Sequence, residues 1–135
     1  MAETQSFFVT KIYRAALPDA AALNKALAAS CRDLAAQDRA GQAWSKEKAY
    51  KGYTSYASLN DLPKRDPNFA DLKKHLDKAA QAFAKELHFA MAGRKLVLDS
   101  LWANVLEPGG GHTGHIHPHS VLSGTYYVEV PAGAS

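Results

Sequence analysis

Four of the chain's six histidines fall within eight positions, His112, His115, His117 and His119, in the stretch GGGHTGHIHPHS from Gly109 to Ser120. A neutral imidazole offers a metal ion a lone pair without needing a charged partner, which makes histidine the commonest side-chain metal ligand. In an extended chain, residues i and i+2 face the same way, so His115 and His117 would aim at one point. The spacing therefore predicts a dihistidine site for a divalent metal, with His112 and His119 at its rim. The competing interpretation is a solvated loop that binds metal only adventitiously. A strand-patterned run directly after the cluster favours the site, because binding residues concentrate on loops held by rigid elements.

The elements that must position this loop lie on both sides of it. Lys95 to Leu106, KLVLDSLWANVL, reads as a strand with apolar residues in both alternating sets, covered on two faces. Asn104 shares the parity of Leu96, Leu98 and Trp102, and an amide on an inward apolar face needs a hydrogen-bond partner, which a ligand can supply. Downstream, Ser123, Thr125 and Tyr127 share one face of a strand over Ser123 to Val130. Leu122, Tyr126, Val128 and Val130 share the other and are expected to pack on helices. The hydroxyl face suits the wall of a small polar pocket.

Upstream, Ser6 to Tyr13 (SFFVTKIY) has strand composition. From Ala20, Leu23, Leu27, Cys31 and Leu34 recur at helical spacing, with Asp19 as the expected N-cap and the helix fading over Gln37 to Gln42. Cys31 on that face reads as a small core residue. Trp44 to Leu62 reads as an irregular cover, interrupted by Gly52, with Tyr50, Tyr53 and Tyr56 half-buried and their hydroxyls outward; a substrate-contacting loop is the sharper alternative. Asp66-Pro67 is a helix start. Phe69, Leu72, Leu76, Ala79, Phe83 and Leu87 then define an amphipathic helix to about Met91, ending near Gly93. His75 and His88 are assigned surface or cap roles.

At 135 residues the chain is expected to form one domain, residues 1–135, with a real core. With 47% hydrophobic and 21% charged residues, disorder is excluded. A net charge of +3 with no basic run gives nucleic acid no support. One cysteine excludes an internal disulfide and fits a reducing compartment. No signal-peptide pattern opens the chain and no apolar run reaches the roughly 18 residues needed to cross a bilayer. A cytoplasmic, soluble protein without membrane partners is expected.

The string W-x-N-V-L-x-x-G-G-x-H-x-x-H-I-H-P-H-S-V-L-S-G-T-Y-Y-V-x-x-P, together with the earlier G-Y-T-S-Y-A-S-L, resembles a bacterial family of 2-oxoglutarate/Fe(II)-dependent oxygenases. The resemblance runs from the TKIYRA segment to the PAGAS end. It implies an α+β fold, a double-stranded β-helix (jelly-roll) with N-terminal helices packed outside, and Fe(II) and 2-oxoglutarate as cofactors. In such enzymes iron is usually held by an H-x-D/E pair and a distant histidine. His115 and His117 take the places of the pair, and the second ligand departs from the usual carboxylate. Tyr127, and with less support Asn104 and Ser123, fall where the wider superfamily contacts oxoglutarate.

The resemblance also implies that the distal metal histidine and the arginine for the oxoglutarate C5 carboxylate lie outside this sequence, since neither residue type follows Tyr126. Completing eight strands would take roughly 50 to 60 further residues. The expectation is thus the first part of a barrel, inactive by itself, with an open sheet edge that a second copy could cover. The substrate, small molecule or protein, is not legible. A cupin-like three-histidine protein or cosubstrate-independent dioxygenase is the alternative. A metal-dependent hydrolase ranks lowest, because Pro118, His119 and Ser120 stand where a metallo-β-lactamase pattern wants Asp-His, and an amidohydrolase barrel needs far more chain.

Overall fold

Alanine and leucine without glycine or β-branched residues make Ala21–Gln37 a strong helix former, and the structure, a computed structural model describing residues 2–134, places α1 there. Leu27 is fully buried on its inner face, with Leu23, Cys31 and Leu34 half-buried beside it. The expected cap is corrected: Ala20 occupies the N-cap, while Asp19 takes a left-handed φ of 52°. Nor does the helix fade over the polar run. Asp38 bends the chain and starts α2, Arg39–Glu47, accepting from the Gly41 backbone N–H at 3.0 Å.

Asp38 holds more than a helix end. The Tyr53 hydroxyl donates to it at 2.8 Å, and the Ser58 hydroxyl donates to the same oxygen. Burial pulls its pKa upward, but the bonds from Ser58, Gly41, Tyr53 and Ala40 together outweigh burial and hold it below the ordinary value. Tyr53 is therefore buried with its hydroxyl bonded to Asp38, and not the half-buried residue with a surface hydroxyl expected from the sequence.

Two short strands, β1 (Gly52–Thr54) and β2 (Asn104–Leu106), pair antiparallel with Tyr53 opposite Val105. Glycine is required at 52: its φ is 130°, and a Cβ there would sit 2.2 Å from the Val105 carbonyl oxygen. A 3₁₀ turn at Leu62–Lys64 buries Leu62 and leads into α3, Pro67–Glu86. Asp66 caps α3 by accepting from Asn68 N–H at 2.7 Å, with Pro67 in the first turn, as its sequence predicts. The helix stops at Glu86, short of Met91, because the chain turns left-handed at His88. Phe69 and Leu72 are buried and Leu76 and Phe83 half-buried, so the expected apolar face is inward.

The core joins Leu27 of α1, Leu62 of the 3₁₀ turn, Phe69 and Leu72 of α3, and Ala103 beside β2. Three strand expectations are corrected. Ser6 to Tyr13 is not a strand: no neighbour pairs with it, Phe8 is fully exposed, and Tyr13 stacks on Phe83 with ring centres 5.4 Å apart. In Lys95 to Leu106 only the last three residues are a strand. Leu96 and Leu98 turn inward, but Leu101 and Trp102 are both half-buried and shift the phase, so Ala103 and Val105 face in and Asn104 faces out. That shift coincides with the bonds Leu101 makes to the Asn60 and Leu62 backbone. Asn104 thus does not sit on the inward apolar face predicted for it.

Ser123 to Val130 keeps strand alternation without being a strand. Tyr126 and Val128 pack on the core, and Ser123, Thr125 and Tyr127 are exposed, as is Val130. The Tyr126 hydroxyl donates to Asn24 of α1 at 2.6 Å, tying the segment to a helix. The architecture is α+β, three α-helices with one two-stranded antiparallel sheet among the described residues. No helix among them is long and apolar enough to cross a membrane.

Candidate metal centre

The turn after β2 fixes where the histidine loop begins. Glu107 N–H donates to the Lys51 carbonyl at 3.2 Å, and Gly110 N–H donates back to Glu107 at 2.8 Å. Gly110 is needed because a Cβ would meet the Lys51 carbonyl oxygen at 2.5 Å. The loop is thereby held against the residues just before β1, and His112 arrives beside Tyr50. Its Nε2 lies 3.1 Å from the Tyr50 hydroxyl, and burial raises the Tyr50 pKa, which keeps the phenol protonated.

His115 and His117 come together although residues 112–119 form no strand. Their Nε2 atoms are 3.1 Å apart and their ring centres 4.8 Å apart. His115 Nδ1 lies 2.8 Å from the Thr113 carbonyl oxygen. A carbonyl only accepts, so Nδ1 carries the proton and Nε2 presents its lone pair toward His117. That is how metal-binding imidazoles are commonly oriented, one nitrogen anchored and the other free. His117 Nε2–H then donates to His115 Nε2.

The pair's spacing fits a metal ion. With imidazole–metal bonds of about 2.1 Å, two nitrogens 3.1 Å apart subtend an angle of about 95° at the ion. Ring centres lie about 3.2 Å from such an ion, and their separation of 4.8 Å gives the same angle. Both distances therefore suit two nitrogens held by one metal ion. Two neutral nitrogen donors are compatible with iron, zinc, copper or nickel.

Around the pair stands a row of aromatic rings. Trp102 lies 5.8 Å from His117, Tyr56 packs edge-on to Trp102 at 5.1 Å, and Trp44 packs on Tyr56 at 6.1 Å. The His112 ring lies 6.0 Å from that of His115. His119 sits at a turn with φ 69°, where Ser120 N–H donates to the His117 carbonyl. His115 and His119 are exposed and His117 half-buried. Tyr127, Asn104 and Ser123 are exposed too, and among the described residues no hydrogen bond joins them to the histidines. Sequence reasoning missed the partnership of Tyr50 with His112, because 62 positions separate them and only the β1–β2 pairing closes that distance.

The sequence profile of the family described as "Putative 2OG-Fe(II) oxygenase" matches residues 100–135, a span that contains β2, the histidine loop and the segment after it. The three α-helices lie outside the match. No curated protein matches the chain.

Proposed function

We propose that this chain supplies the His-x-His iron pair of an Fe(II)/2-oxoglutarate-dependent dioxygenase acting on a small-molecule or protein substrate, within a double-stranded β-helix. The observation that carries the proposal is the approach of His115 and His117 Nε2 to 3.1 Å, inside the stretch that resembles such oxygenases. Bound Fe(II) and 2-oxoglutarate would supply oxidation of substrate by O₂ coupled to decarboxylation of the oxoglutarate to succinate. His115 and His117 would hold the iron through Nε2, and the Thr113 carbonyl keeps His115 in the tautomer that can do so. Trp102 flanks the His117 ring and shields that side from water. Tyr127, Asn104 and Ser123 offer a phenol, an amide and a hydroxyl to the oxoglutarate.

A cosubstrate-independent centre of cupin type is the second reading, favoured by a histidine where the carboxylate usually stands and by His112 nearby. The two separate in one experiment. Adding 2-oxoglutarate anaerobically to the chain with excess Fe(II) is expected to raise a visible charge-transfer absorption, lost in His115→Ala and in His117→Ala. Iron binding without that absorption supports the cupin-type centre; no iron binding sinks both. Succinate release by the 135 residues alone is expected to be absent, because the loop is open and would not shield bound oxoglutarate from water.

A further inference from the structure

We propose that His112 is a third protein ligand of this centre, binding through Nδ1 while its Nε2–H donates to the Tyr50 hydroxyl. This rests on the metal-binding reading of His115 and His117 and extends it. His112 repeats the arrangement seen at His115. One ring nitrogen is anchored, here Nε2 at 3.1 Å from the Tyr50 oxygen, and there Nδ1 at 2.8 Å from the Thr113 carbonyl. Either anchor sets the ring's orientation in advance; the Thr113 carbonyl also fixes the His115 tautomer, while the Tyr50 hydroxyl, able to donate or accept, lets His112 Nε2 carry the proton when Nδ1 binds a metal.

Distance decides what the loop must do. Imidazoles on adjacent positions of one ion have ring centres about 4.6–5.3 Å apart, from the same bond length of about 2.1 Å. His115 and His117, at 4.8 Å, already meet this; His112 and His115, at 6.0 Å, miss it by less than about 1.5 Å. Accordingly, no three metal-ligating groups among the described residues stand within reach of one ion, and His112 would have to move by that distance to join the pair. The loop is open at the two glycines on either side of His112 and Thr113: a Cβ at Gly111 or Gly114 would have nothing within 4 Å. His119 has neither feature: among the described residues no hydrogen bond anchors its ring, and the chain reverses at its position.

Three neutral imidazoles leave the full charge of a divalent ion uncompensated. Such a centre attracts an anionic co-ligand more strongly than one that already holds a carboxylate.

The test counts ligands directly and uses the 135-residue chain. Electron paramagnetic resonance of the Cu(II) form is expected to show three coupled imidazole nitrogens in the wild type and in His119→Ala, and two in His112→Ala. Zn(II) affinity by calorimetry is expected to fall at least about tenfold in His112→Ala, no less than the loss of an outer hydrogen-bond partner costs. Tyr50→Phe should weaken Zn(II) binding while keeping three nitrogens, which separates an anchoring role from a ligating one. Unchanged nitrogen count and affinity in His112→Ala, alongside losses in His115→Ala and His117→Ala, would overturn the proposal and leave the pair intact. Unchanged affinity in His115→Ala and His117→Ala as well would overturn the pair and the third ligand together.

Discussion

A hydrogen on His115 Nδ1, fixed by the Thr113 carbonyl, is the smallest feature on which the site depends. It leaves Nε2 bare at 3.1 Å from His117. Replacing His115 by Ala is therefore expected to lower Zn(II) affinity far more than replacing His119 by Ala, as calorimetry can measure; equal losses would show that the whole loop binds metal diffusely. At the same scale, Asp38 makes a second prediction. Its folded pKa lies below the ordinary 3.8, so its ionised form stabilises the fold above that pH. As pH falls through the folded pKa that contribution disappears. Asp38→Asn keeps a helix cap but loses the charged acceptor for Tyr53 and Ser58, so it should be less stable than the wild type near neutrality, with the gap narrowing as pH falls below about 3.8. Urea unfolding at pH 7 and at pH 3 checks this, and a constant gap would mean that the carboxylate charge is irrelevant.

Elements matter here through their close approaches. β1 can pair with β2 only because Gly52 lets its backbone lie against Val105, and the same pairing brings the Lys51 carbonyl to Glu107 and the loop to Tyr50. Gly52→Ala puts a methyl group 2.2 Å from a backbone oxygen at a φ that L residues avoid. It should cost about 1–3 kcal/mol and loosen the contact between Tyr50 and His112. Thermal unfolding and the His112 imidazole resonances would report both effects; an unchanged midpoint would show that the strand pair shifts freely. Leu27, fully buried between α1, α3 and the 3₁₀ turn, is the matching core probe. Leu27→Ala should cost about 2–5 kcal/mol by thermal or urea unfolding while leaving the exposed histidine loop in place.

Across the whole molecule, apolar side chains of strand-patterned segments remain uncovered. Phe7, Phe8, Val9 and Ile12 near the N-terminus, Val97 before β2, and Val121 and Tyr127 after the loop are all more than half exposed. Backbone and apolar groups left this way favour association with other chains. The 135-residue chain is expected to self-associate as concentration rises in sedimentation experiments, and Phe8→Lys with Val97→Lys should reduce it. A monomer at all concentrations would mean that these segments are adequately solvated.

Much was legible in the residues themselves. The apolar spacing of α1 and α3 follows from the 3.6-residue turn, and Asp66-Pro67 specifies where α3 begins, because caps and helical periodicity are local properties. The histidine cluster, and the inward Tyr126 and Val128, were likewise readable from spacing. Strands were legible only at Asn104–Leu106, the end of the predicted Lys95 to Leu106 run, since a strand exists only when a neighbour accepts and donates its backbone hydrogen bonds. Ser6 to Tyr13 has the composition without the neighbour, whereas Gly52–Thr54 has little of the pattern and does have one. Asn104 faces outward because Leu101 bonds to a distant loop and shifts the alternation, a constraint no local pattern contains. For the same reason only tertiary structure placed Tyr50 against His112: their separation of 62 positions is bridged by backbone pairing at Gly52 and a turn at Gly110, and long-range contacts of that kind leave no periodicity to read.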